Sequence, residues 1–315
     1  MKHLKALLLM LLALMMAMPC ALADEVPYAP LEPWLINKQP APAPYTPNPD
    51  CYLPNNTGYI DDSLSITIET TYWDRNVQQV EGPGEGTTTV MAIRIKLADV
   101  TQFRTALAMP YPSKNTTRVD HMARTNNAVL AVNGDYFNYH SSGIAYRNGR
   151  KMRFNANNQR DLLIIDEQGD FHFLRPTSQR AWDNYINNGG TVLHTFWFGP
   201  CMLNEDGTPI ERFTEDKVNN GAWTKAQRMV ISQTGPLEYL ILCNEGPESV
   251  EPLSEGYDLA QLSKLCYAFG MTNAYNLDGG SSCTVTLNCE KINSPSNPKR
   301  REVGDCIYFA TLIPN

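Results

Sequence analysis

The 315-residue sequence predicts an α+β fold: curved, mostly antiparallel sheet with a few packed helices in a single domain. Three observations predict it. Short segments that alternate apolar and polar residues recur along the chain, the pattern of half-buried strands. Only about three segments carry helical periodicity. Gly, Pro, Asn and Asp punctuate most of the intervals, as in hairpin-rich sheets rather than doubly wound parallel ones. No internal repeat and no second domain boundary is visible, so one domain is expected over residues 59–315.

In order, Ser63–Tyr72 (SLSITIETTY) alternates cleanly and reads as a strand. Thr88–Leu97 follows as a second strand after a Gly-rich turn at Gly82–Gly86. Thr116–Asn127 opens on a cap-type Thr and suits a short helix. Ala128–Val132 is a buried strand that delivers Asn133-Gly134-Asp135. Gly143–Arg150 and Asp161–Asp166 come next, and Gln168-Gly169 turns the chain into Phe171–Leu174. Trp182–Asn188 suits a short helix, and Val192–Phe198 leads to Gly199-Pro200 and a turn at Glu205-Asp206-Gly207. Ala226–Gln233 and Leu237–Cys243 form a hairpin through Gly235-Pro236. In Tyr257–Phe269, apolar residues at 259, 262, 265, 266 and 269 make an amphipathic helix that Gly270 ends. Ala274–Leu277 is a strand, Asp278–Ser282 a tight turn and Cys283–Leu287 another strand, with Val303–Leu312 expected to pair with the last as a closing hairpin.

The N-terminus reads as an export signal. Lys2 and Lys5 precede an apolar run, Ala6–Ala17, too short to span a bilayer, and Ala21-Leu22-Ala23 is a small-x-small cleavage site. Residues 1–23 are therefore expected to be removed, leaving a chain that is secreted or envelope-associated and not transmembrane. Cys20 lies near a lipobox position, but Pro19 fits that signal poorly. Residues 24–58 hold nine prolines and read as an extended tether. Hydrophobic residues make up 43% of the sequence and charged ones 19%, enough for a sizeable core. A net charge of −7, with no basic run longer than Lys299-Arg300-Arg301, argues against nucleic acid as a partner. Seven cysteines follow the signal. In an exported chain some should form disulfides, and Cys283, Cys289 and Cys306 are the best candidates. No Cys or His spacing suggests zinc, and no loop has EF-hand spacing; no metal or cofactor is called for, although oxygen-rich turns leave Ca²⁺ open.

Candidate chemistry concentrates where strands end in polar, glycine-bearing turns. In NLDGGSS (276–282), two glycines permit a sharp turn that lifts the carboxylate of Asp278 off a strand end. Gly279, Gly280, Ser281 and Ser282 offer amides and hydroxyls to an anion. The same residues suit a plain hairpin, with Asp278 capping its own backbone. AVNGDYF (131–137) has the same character: Asn133 and Gly134 are candidate ligand contacts and Asp135 a second acid. Glu245 is a further candidate acid. Arg228 lies in an otherwise apolar strand, which calls for an anion: a phosphate, or a structural carboxylate. Arg301, beside the last strand, is either a second phosphate ligand or part of an exposed basic run. Gly199 is expected to shape a pocket wall. No Ser/His catalytic pair and no nucleophile elbow is present.

In order along the chain, AVNGDYF (131–137), FGPCML (198–203), AQRMVI (226–231), GYDLAQL (256–262), NAYNLDGGSS (273–282) and REVGD (301–305) resemble the motifs of the phosphodiester glycosidase domain over roughly residues 60–313. The resemblance implies hydrolysis of the bond between an anomeric carbon and phosphate in a sugar-1-phosphodiester of envelope or extracellular glycan, including exopolysaccharide. It implies Asp278 as the principal carboxylate, with Asp135 or Glu245 as second acid. Relatives often carry glycine at the position of Asp135, show Asp-Gly where this chain has Glu245-Gly246, and have a third glycine where Ser281 stands. The competing expectation is a non-catalytic carbohydrate- or wall-binding module on the same fold, and a third is a hydrolase of ordinary glycosides.

Overall fold

A computed structural model describes residues 43–213, 221–247, 249, 253–294 and 301–315. The expected export signal, most of the proline-rich segment, Lys299 and Arg300 lie outside the described residues. Four antiparallel sheets organise the described residues. The first runs β1 (Gly58–Ile60), β2 (Leu64–Asp74), β4 (Thr87–Leu97), β13 (Glu238–Asn244), β12 (Arg228–Gly235) and β14 (Tyr275–Asn276), with β3 (Gln79–Val80) on the edge of β2. The second runs β16 (Glu290–Lys291), β15 (Val285–Leu287), β6 (Leu130–Asn133), β17 (Asp305–Phe309) and β5 (Phe103–Leu107). A three-stranded sheet joins β10 (Phe171–Leu174), β9 (Leu162–Ile165) and β11 (His194–Phe196), and β7 (Gly143–Arg147) pairs with β8 (Arg150–Asn155). Every ladder between these strands is antiparallel.

Strand alternation sorts side chains into layers. In β13, Tyr239, Ile241 and Cys243 enter the core between the two large sheets, while Leu240 and Leu242 face the outer layer. There α3 (Leu259–Ala268) packs Leu259, Leu262, Leu265 and Cys266 against them. In β17, Ile307 and Phe309 join the central core. Cys306 and Tyr308 instead face α1 (Val119–Thr125) with Val119, Met122 and Ala123. The order is helix, sheet, sheet, helix, with α2 (Gln179–Asn187) seating Trp182 against Ile144, Leu162 and Ile164. Helix starts follow local chemistry: Asp258 and Gln261 form a capping box on α3, and Ser178 accepts from Ala181 N on α2.

Three expectations are corrected and one strand is added. The last strand does not pair with β15; both flank β6, which lies between them. β5 was not foreseen, because Arg104 and Thr105 interrupt its apolar pattern, yet both are buried. Residues 43–58, assigned to the tether on their prolines, lie on the domain: Tyr52 bridges Tyr59, Cys51 and Tyr52 pack on the core, and Pro44 O accepts from Asn127 Nδ2. The bridge expected among Cys283, Cys289 and Cys306 is absent, and all seven described cysteines are free. Cys283 points into the central core and Cys306 toward α1, so β-sheet pleating separates them.

Candidate active site

Antiparallel pairing decides which chain ends meet. Cys306 in β17 is registered with Asn133 in β6, so the start of β17 lies beside the end of β6, and Gly134 N donates to Asp305 O at 3.2 Å. β15 runs the same way, and Asn133 both donates to and accepts from Thr284 through backbone N and Oδ1. The chain leaving β14 crosses from the first sheet to the second: Leu277 N donates to Met229 O and Asp278 N to Gly134 O. Asn133 Nδ2 locks this crossing by donating to Asp278 O at 2.8 Å. The Asn133 loop and the Asp278 turn, far apart in sequence, are thus one structure, with Asp305 as its third member.

At its centre is a buried ion triad. Arg147, 1% exposed, donates Nη2 to Asp135 Oδ1 at 2.6 Å and Nε to Asp305 Oδ2 at 2.9 Å, while Nη1 donates to Tyr146 O and Thr195 O. Its guanidinium also lies over the rings of Phe137 and Phe196. Asp135 Oδ2 takes Trp197 N at 2.7 Å, which leaves that acid fully engaged. Gly134 is glycine for a visible reason: a Cβ there would lie 2.3 Å from Asp305 Oδ1. It holds space for the Asp305 carboxyl.

Asp278 is 8% exposed, and its Oδ2 has no hydrogen-bond partner; neither does Asp305 Oδ1. Burial raises the Asp278 pKa to about 6 and outweighs the lowering effects of Ser282, Arg301 and the Gly279 amide, with Asp135 raising it further. Burial likewise raises Asp305 to about 7 against the pull of Arg147, with Asp135 and Asp278 adding to the rise. Arg301 is the cation beside Asp278. It reaches Ser281 Oγ at 3.4 Å and Tyr136 Oη at 3.2 Å and lies 5.2 Å from the centre of the Tyr136 ring. Tyr136, at a left-handed φ of 64°, stacks on Tyr139 at 4.1 Å, and Tyr139 is 53% exposed.

The other expected residues sit elsewhere or are already engaged. Arg228 runs its stem beside Gly279, but its guanidinium donates to the carbonyls of Gly221, Thr224 and Tyr257. Backbone carbonyls take up its donors, and Asp258 adds a favourable charge. Glu245 lies behind the turn, accepting from Ser294 N, Gln227 Nε2 and Ser249 Oγ, and ties three segments together. Burial raises its pKa. In the turn, Gly280 takes φ +57°, and its amide donates to Gln227 O rather than standing bare. Gly279 packs so closely on Gln227 O that a Cβ would come within 2.9 Å. Ser282 is buried beside Asp278, and Ser281 is half-buried next to Arg301. Gly199 O accepts from Asn276 Nδ2, which places it in the wall behind β14.

Sequence reading passed over Asp305 and Arg147. Asp305 stands in view in REVGD, at the start of the last strand, but a lone acid there carries no signal until Arg147, 158 positions away, is placed against it.

A family model described as phosphodiester glycosidase matches residues 126–310, which contain Asp135, Arg147, Asp278, Arg301 and Asp305. No curated protein matches the chain. Among solved structures, the zebrafish N-acetylglucosamine-1-phosphodiester alpha-N-acetylglucosaminidase catalytic domain, auto-inhibited by its pro-peptide, is similar in fold: TM-score 0.60 and 17% identity over 79% of this chain and 84% of that one. A hypothetical protein from Synechocystis is similar at TM-score 0.58 and 14% identity, over 78% of this chain and 62% of that one. The chain belongs to the phosphodiester glycosidase family.

Proposed function

We propose that the chain hydrolyses the bond between an anomeric carbon and phosphate in a sugar-1-phosphodiester of envelope or extracellular glycan, outside the cytoplasm. The observation that carries this reading is the nearness of the Arg301 charge to Asp278. A buried carboxyl with one unpartnered oxygen stands next to a half-buried guanidinium that also reaches a serine hydroxyl. A guanidinium and a hydroxyl suit a phosphoryl group, which they bind through charge-assisted hydrogen bonds. A carboxylate beside it suits the positive charge that builds at C1 as the bond breaks, as nucleophile or as base for water. The leaving group is a phosphomonoester, stable as an anion, so strong general-acid assistance is not required. The products are the free sugar and a phosphomonoester.

In this reading Asp278 acts on C1, Arg301 and Ser281 hold the phosphate, and Asn133 fixes the Asp278 backbone. Asp135 serves the site through Arg147. Neither Arg228 nor Glu245 faces the reaction. Export is supported by the signal-like residues 1–23, and among the described residues no helix is long and apolar enough to cross a membrane. The test is a panel of glycosyl-1-phosphodiesters incubated with the protein, with products identified by mass. Release of free sugar and phosphomonoester that is lost in Asp278→Asn supports the reading. Binding of the panel without turnover by the native chain refutes it.

A further inference from the structure

We propose that Arg153, with His140, Trp197 and Arg160, forms a second anion subsite beside the candidate active site, which takes an acidic substituent of the glycan: a carboxylate, or a phosphate other than the one released. That the occupant belongs to the substrate rests on the glycosidase reading; that the cluster binds an oxyanion does not.

Printed contacts join the four side chains. Arg153, in β8, donates Nη1 to Phe137 O at 2.8 Å and to His140 O at 2.6 Å, in the loop that follows Asp135. The His140 ring meets the Trp197 ring at 5.4 Å and 89°. The guanidinium carbon of Arg160 lies 5.0 Å from the centre of that same indole. Gly143 leaves room for the indole, since a Cβ there would come 2.3 Å from Trp197 Cδ2. The cluster borders the Arg301 site across one side chain. The Tyr136 ring lies 5.2 Å from the Arg301 guanidinium carbon and 5.9 Å from the His140 ring.

What these groups share is donors without acceptors. Arg153 Nε and Nη2, His140 Nε2 and Trp197 Nε1 are buried, and none has a hydrogen-bond partner. An indole and a guanidinium can only donate, and a neutral imidazole donates from Nε2 in one of its tautomers. Burial lowers the His140 pKa to about 4, with Arg160 and Arg153 pushing the same way against Asp135, so the ring adds no third charge. Among the described residues no carboxylate lies within 4 Å of the Arg153 guanidinium. Asp135 acts on it from further off and is already engaged by Arg147 and by Trp197 N. An oxyanion supplies both things missing here, acceptors for the buried donors and a charge to match Arg153.

The experiment follows the indole N–H signals of ¹⁵N-tryptophan-labelled protein as inorganic phosphate or, separately, glucuronate is added. The Trp197 signal is identified by its loss in Trp197→Phe. It should move downfield and saturate in the millimolar range or below, and the anion that saturates it at the lower concentration identifies the substituent. In Arg153→Gln saturation should need at least about tenfold more anion, the worth of one or two charge-assisted hydrogen bonds. In Arg301→Ala the response should persist. A Trp197 signal that stays still, or that moves equally in Arg153→Gln, leaves an adventitious ion only and overturns the proposal. Loss of the response in Arg301→Ala would make the two sites one and overturn it as well. Where Arg153→Gln does not fold, Arg160→Gln is read by the same outcomes. For turnover, a glycosyl-1-phosphodiester bearing a uronate should show a higher kcat/KM than its neutral counterpart, and Arg153→Gln should shrink that advantage. Equal kcat/KM values for the two in native protein overturn the substrate role. An absence of turnover on every substrate, with the Trp197 response intact, would sink the glycosidase reading and leave the oxyanion site standing.

Discussion

Replacing Asp278 by Asn should stabilise the protein while ending its activity. A buried carboxyl whose pKa rises from 3.8 to about 6 on folding is held unfavourably once charged. At roughly 1.4 kcal/mol per pH unit, that penalty reaches about 3 kcal/mol at neutral pH. The sign follows from proton binding. Between pH 4 and 6 the folded state holds this proton more tightly than the unfolded state, so the contribution of Asp278 to stability is best in acid and declines as pH rises through about 6. Asn has nearly the same shape and no charge, so it removes the penalty; below pH 4 the two proteins should match. The assay is urea unfolding of both at intervals from pH 4 to 8, comparing midpoints at equal slope. A variant that is less stable than the native protein at pH 7, or a difference independent of pH, would refute the burial argument. It would mean that Asp278 is ionised at little cost and is already matched by its surroundings.

Three further substitutions separate the site from its supports. Arg301→Ala should lower kcat/KM by roughly 10–100-fold, the worth of one or two charge-assisted hydrogen bonds, with the melting temperature nearly unchanged because Arg301 is only half-buried. Steady-state kinetics on a phosphodiester substrate checks it. Asp135→Ala leaves Arg147 short of one partner in a closed interior, so unfolding free energy should fall by about 3–5 kcal/mol, read by thermal or urea denaturation. Arg228→Met strips a donor from three backbone carbonyls and should cost about 1–3 kcal/mol of stability with KM intact. A large rise in KM would restore Arg228 as a phosphate ligand.

Local pattern revealed much of this molecule. The Asp278 turn and the Asn133 loop were legible because both set polar, glycine-bearing residues at the ends of apolar runs, and the fold joins them through Asn133 Nδ2. Strands β2, β4, β12, β13 and β14 of the first sheet and the three described helices follow from alternation and periodicity, with boundaries shifted by a few residues, whereas β1 and β3 do not. Failures share a physical cause: the interaction that decides them is long-range. β15 and β17 are adjacent in sequence but separated in space by β6, which contributes the shared central partner. Arg147 sits in GIAYRNGR, where nothing local marks it until Asp135 and Asp305 close on it. Arg228 calls for an anion because a cation in an apolar strand is costly; carbonyls of a neighbouring loop, with the charge of Asp258, already meet part of that cost.

The central claim is that the broken bond joins oxygen to the anomeric carbon, with the phosphate held as a leaving group. Hydrolysis of a glycosyl-1-phosphodiester in H₂¹⁸O, with both products weighed at early times, tests it most directly. Label in the sugar and an unlabelled phosphomonoester is the predicted result. Label in the phosphomonoester would place the attack at phosphorus and contradict it.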